Sequence, residues 1–243
     1  SRDDPAFSIQ PSLAGPTDSK LKTMSAEVSH AYGLMGCALL ILATVSFWLR
    51  LFVRSDFARR GTLGVIFMLS WIPLPRTSMV EFLRGVVGDI AIPTFLLFGL
   101  MVGGCLLSSL PKHSSAGQKL RPAFFVPDDS LRWFFILVVG AGSLFYPMTM
   151  GFTIMDPYAW GYAPNVMLLV CLSVILALEF AGQRTAAVLI LLAVAAYAAG
   201  LMESSNLWDY LMDPLLFGIS LSVICRGIAD QVRSRRRVPA SGG

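Results

Sequence analysis

Long apolar stretches separated by short polar segments constrain this chain more than any other feature. Seven can be read, over residues 30–53, 62–74, 90–110, 133–154, 165–180, 185–202 and 214–228. A helix needs about 20 mostly apolar residues to cross a bilayer. Most of the stretches approach that length; 62–74 is short, stops at Pro73 and Pro75, and reads equally as a re-entrant segment. Charged residues make up only 14% of the chain and mean hydropathy is +0.67, where a soluble domain carries about 25% charge. The expected fold is therefore an all-α integral membrane protein. It is a bundle of about seven transmembrane helices with short amphipathic outer helices, spanning residues 28–228 as one domain.

Charge between the spans sets the expected orientation. The segments 54–61, 111–132, 181–184 and the C-terminal tail, with adjoining span ends, hold fourteen lysines and arginines; the alternate segments, leaving aside the N-terminal tail, hold only Arg76 and Arg84. The positive-inside rule assigns the basic set to the cytoplasm. The N-terminus is then outside and the C-terminus cytoplasmic, as in a bacterial inner membrane or its equivalent. Trp71, Tyr158, Trp160, Tyr162, Trp208 and Tyr210 gather at the outer span ends, and Trp48 and Trp133 at the inner ones, matching interfacial aromatic belts. Residues 229–243 form a basic tail suited to anionic lipid. Residues 1–27 read as a flexible polar segment outside the fold. Within it, residues 1–23 are either an added leader ahead of Met24 or an outer tail.

Several functional classes are excluded. The net charge of +4 comes from topology-setting loops rather than a basic patch, so nucleic acid is not an expected partner. Cys37, Cys105, Cys171 and Cys225 all lie in apolar stretches without ligand spacing. His30 and His113 fall on opposite sides of the expected topology. No metal site and no cofactor are therefore expected. Residues 214–228 contain no lysine, which rules out a retinal Schiff base. Charges are also missing from the span centres, against the usual pattern of ion-coupled transport.

The candidate binding residues collect on the outer side. Residues 78–89 read as an amphipathic helix with Glu81, Arg84 and Asp89 on one face, Glu81 and Arg84 being spaced to pair. In residues 203–213, Glu203, Asn206, Asp209, Tyr210 and Asp213 recur every three or four positions, as one stripe of a helix. Carboxylates so close need a cation or shared protons, and Arg84 is the expected neighbour. Between them, Asp156, Tyr158 and Trp160 combine a carboxylate with aromatic faces, a pattern suited to a sugar or quaternary amine. Asp156-Pro157 and Asp213-Pro214 also read as helix starts.

No nucleophile–base pair and no sizeable soluble domain can be read. The expected function is a non-catalytic polytopic subunit of an envelope or lipid-linked glycan assembly complex. Its expected partners are membrane lipids and another membrane subunit, docked through the acidic and aromatic outer loops. A transferase acting on a lipid-linked substrate through the outer carboxylates is the alternative, and a small-molecule or lipid transporter the second alternative.

Overall fold

A computed structural model describes residues 16–75, 77–107 and 129–237. Arg76, His113, the basic cluster at Lys112, Lys119 and Arg121, and the last six residues lie outside them. Among the described residues the chain is all-α apart from one two-residue hairpin. The helices are α1 (Pro16–Phe52), α2 (Asp56–Ser70), α3 (Met79–Val87), α4 (Ile92–Leu107), α5 (Asp129–Pro147), α6 (Pro164–Phe180), α7 (Arg184–Ala198), α8 (Leu207–Leu211) and α9 (Pro214–Arg237).

Three helical stretches are long and apolar enough to cross a membrane: Thr23–Phe52, Leu131–Phe152 and Pro214–Ser234. Ile92–Leu106, Pro164–Phe180 and Arg184–Ala198 are apolar but shorter, at or below the lower limit of about 17 residues for a spanning helix. The stretch expected at 62–74 is instead the end of α2 and the hairpin of Pro73–Leu74 with Thr77–Ser78. Two boundaries also move. Helix α1 begins at Pro16, inside the segment expected to be a polar tail, and α9 continues to Arg237, so much of the basic tail is helical.

Local chemistry explains where the elements start. Ser55 caps α2 by accepting from Ala58 N at 3.3 Å, and Asp56 pairs with Arg59 at 3.1 Å in the first turn. Ser78 and Glu81 close a capping box around the start of α3, satisfying two N–H groups that the helix cannot. Asp156 caps the 3-10 turn Pro157–Gly161, and Asp213 accepts from Leu216 N at 2.6 Å at the head of α9. These two Asp-Pro pairs do open helices, as their order in sequence suggests. Helix α5 ends at Pro147, which cannot donate to the ladder; the chain continues through a π turn, Met148–Phe152, which is broken at Gly151 with φ 85°.

Two apolar cores are stitched by α4. Leu42, Leu63, Phe98 and Met101 pack α1, α2 and α4 together. Leu97, Phe135, Val138, Leu189 and Leu216 join α4 to α5, α7 and α9. Because Leu97 and Phe98 are consecutive residues on α4, the two cores meet along that helix.

Candidate functional site

His30 lies near the start of the α1 span, Tyr146 and Thr149 near the end of the α5 span, and Pro214 at the head of α9. All four line one cleft of about 860 Å³. The cleft therefore sits at a common end of the three long apolar stretches. Arg50, Arg132 and Arg233 belong to their opposite ends.

The wall on the α3 side is built around Arg84. Its Nε donates to Asp89 Oδ1 at 3.0 Å, one Nη to Glu203 Oε1 at 2.5 Å, and the other contacts His30 Nδ1. Gly88 creates this geometry. It takes φ 77°, a region that costs little only for glycine, and its N–H closes α3 on Arg84 O at 2.8 Å. The turn folds Asp89 back beneath the guanidinium. Gly33 on α1 supplies the room: a Cβ there would strike Arg84 Nε and Asp89 Oδ1. The Arg84 and Asp89 side chains are only 13% and 9% exposed, whereas Glu203 is 62% exposed. The two ion pairs thus differ in kind, one shielded and one solvated. Burial alone would lower the Arg84 pKa, but its bonds to Asp89 and Glu203 outweigh this and raise it.

The opposite wall is built around Asp209. Tyr158 Oη donates to its carboxylate at 3.1 Å, and Ser204 Oγ at 2.5 Å. Burial raises the Tyr158 pKa, reinforced by neighbouring Tyr162 and Asp209, so the phenol stays a donor. Asp213 lies deeper. It accepts from Ala91 N at 2.8 Å as well as Leu216 N, tying the entry of α4 to the head of α9. Burial raises its pKa, and the backbone N–H bonds from Leu216 and Ala91 offset part of that rise. Glu81 also borders the cleft, with its pKa lowered by the bonds from Ser78.

Six candidates from the two acidic segments, Glu81, Arg84, Asp89, Glu203, Asp209 and Asp213, line this cleft together with Tyr158. The remaining candidates do other things. Asp156 holds Tyr158 N at 2.9 Å as a cap. Trp160 lines a separate apolar groove. Asn206 is fully buried, caps α8 at Trp208 N and donates to Tyr158 O at 3.0 Å. Tyr210 is buried as well, and its hydroxyl binds the Met202 backbone.

Two expectations about local geometry are corrected. Residues 203–213 do not form one helical stripe: only Leu207–Leu211 is helical, and Glu203 and Asp213 sit in the connections on either side. Their convergence comes from the chain bending around α8. Arg84 does not pair with Glu81 either, because Glu81 Oε2 accepts from Ser78 N at 2.7 Å. A capping box satisfies a backbone donor, whereas an exposed i,i+3 ion pair stabilises by only about 0.2–0.5 kcal/mol.

Sequence reading passed over His30, Ser204, Phe145 and Trp208, all of which line the cleft. His30 was legible in part, since it stands at the same end of its span as Arg84. The aromatic pair was not, because Phe145 and Trp208 meet only through packing, with ring centroids 4.6 Å apart. Among the described residues no group of three or more His, Cys, Asp or Glu is arranged to hold a metal ion. The chain matches no protein-family model, no curated protein and no solved structure.

Proposed function

We propose that this protein is a polytopic, non-catalytic subunit of a membrane complex, and that its cleft holds a polar group offered at the membrane edge by a lipid or a partner. One observation carries the reading: a cleft of about 860 Å³ opens at the common end of three apolar stretches and is lined by charged side chains. Its size falls within the roughly 300–1,000 Å³ usual for ligand sites. A seven-crossing arrangement takes α2 together with the three shorter apolar helices as the remaining crossings, and the basic residues at the far helix ends support an outward-facing cleft by the positive-inside rule. The carboxylates in the cleft are engaged by N–H and O–H donors and by Arg84, an arrangement suited to holding rather than to bond-breaking.

The test is purification in mild detergent followed by native mass spectrometry. A retained lipid or a co-purifying membrane protein, lost on Glu203→Gln/Asp209→Asn, is the expected result. Loss of neither, with both acids removed, overturns the reading. A transferase is the second reading, favoured by one observation: His30 adds an imidazole beside Arg84 in the same cleft. Turnover of a lipid-linked substrate by the purified chain alone would establish it.

A further inference from the structure

A second chamber adjoins the cleft. It is a groove of about 300 Å³ with an almost wholly apolar lining. Phe134, Val138 and Ala141 of α5 form one bank, and Val166, Val170 and Val174 of α6 the other. Val166 and Val170 are well exposed, so the groove lies open on the outer face of apolar helices. Trp208 and Met212 line both the groove and the polar cleft. The Trp208 ring is held in place by Nε1 donating to Pro157 O at 2.8 Å and by its contact with Phe145. One short element, α8, with the residue that follows it, therefore forms a wall with a charged chamber on one side and an apolar one on the other.

A soluble ligand would use only the cleft, and a hydrocarbon chain only the groove. Chambers of opposite polarity meeting at one wall match a molecule that is itself divided in this way. The charge in the cleft specifies the head. Five carboxyl groups, those of Glu81, Asp89, Glu203, Asp209 and Asp213, line the cleft beside one guanidinium, that of Arg84. That excess attracts a cation and repels an anionic head. Arg84 has five N–H donors, and three groups engage it, which leaves donors for a phosphate next to the amine.

We infer that the ligand of this site is a membrane lipid with an amine-bearing headgroup, its head in the acidic cleft and one acyl chain in the groove between α5 and α6. This rests on the reading of the cleft as a holding site, and it adds the class of ligand and the second chamber.

The experiment uses the full chain in nanodiscs of mixed phosphatidylethanolamine and phosphatidylglycerol, with bound lipid read by native mass spectrometry. A parallel arm measures binding of soluble glycerophosphoethanolamine, which has the head without the chains. The wild type should retain phosphatidylethanolamine over phosphatidylglycerol by about ten-fold, the ratio set by one charge-assisted hydrogen bond of ordinary strength. Ala141→Phe, which fills the groove, should reduce lipid retention by about as much and leave binding of the soluble head unchanged. Val170→Phe, on the exposed opposite bank, should act in the same way and guards against misfolding of the first variant. Glu203→Gln/Asp209→Asn should abolish the preference for the amine lipid. Equal retention of the two lipids by the wild type, or unchanged retention in both groove variants, overturns the inference. If the soluble head still binds the wild type and not the double variant, the holding site stands and only the lipid assignment fails; if neither head nor lipid responds to the double variant, both fail.

Discussion

Arg84 is the residue on which the cleft geometry depends most. Its pair with Asp89 is shielded, and removing one partner of a shielded pair leaves an uncompensated charge at a cost of about 3–5 kcal/mol when burial is complete. Its pair with Glu203 is solvated and expected to contribute below about 1 kcal/mol. Double-mutant cycles measured by thermal unfolding in detergent should therefore separate them. Arg84→Ala with Asp89→Asn should show strong coupling, and Arg84→Ala with Glu203→Gln little. Equal coupling in both cycles would contradict the difference in exposure, 9% against 62%. Asp213 makes a separate prediction about pH. Its folded pKa lies above its unfolded value because of burial, so as pH rises the unfolded chain releases this proton first. The contribution of Asp213 to stability is then greatest below the ordinary carboxylate range and declines as pH rises through the folded pKa. Relative to Asp213→Asn, the wild type should lose stability between acid and neutral pH; a difference that stays flat with pH would exclude the mechanism. Of these details the sequence showed that Arg84 is a scarce cation among acids. It could not show which acids Arg84 meets, because Asp89 arrives through a positive-φ turn and Glu203 from a connection more than a hundred residues away.

Short elements shape the site more than the long helices do. Asn206 holds α8 in place: its side chain caps Trp208 N, donates to Tyr158 O and lies directly against Gly161. Asn206→Ala should leave a part-buried N–H, that of Trp208, and a part-buried carbonyl, that of Tyr158, without this partner, at about 1 kcal/mol. It should also loosen Tyr158 from Asp209, which tyrosine fluorescence or cross-linking can follow. In helix α3, Ser78→Ala removes one half of the capping box and should cost about 1 kcal/mol, with a fall in thermal midpoint as the readout. Helix α3 was legible from its hydrophobic period, but its Ser-x-x-Glu start was passed over in favour of a Glu81–Arg84 pair. Helix α8 was not: the acidic residues around it recur at a helical spacing although only five residues are helical. A spacing of three or four residues identifies a shared face only while the helix continues, and Asp213-Pro214 ends one element and begins another.

At the scale of the whole molecule, the apolar stretches were evident from hydropathy, and three of them have the length to cross a bilayer. The number of crossings was less legible, because helices of 15 to 17 residues satisfy an apolar pattern without satisfying the span. Labelling can decide the direction of the last crossing. In a background free of native cysteines, including the exposed Cys225, single cysteines replacing Ser205 and Ser234 should react from opposite sides of the membrane. Both positions are exposed and α9 alone separates the α8 region from the basic terminus. Reaction from the same side would remove α9 as a crossing helix and with it the outward cleft.

Gly33 carries a consequence for descent. Its missing side chain is the space that the guanidinium of Arg84 and the carboxylate of Asp89 occupy. Position 33 lies on α1 and positions 84 and 89 on α3 and the turn that closes it, so the identity of the first is tied to the space taken by the other two. A methyl group gained at position 33 in a sequence of the same ancestry requires the ends of the Arg84 and Asp89 side chains to swing aside, the arginine to be lost, or helix α1 to stand farther from α3. A larger residue at 33 should therefore come with change at 84 or 89 across a lineage, and a branch holding alanine at 33 beside an intact Arg–Asp pair would show that the side chains or the helices shift to admit it.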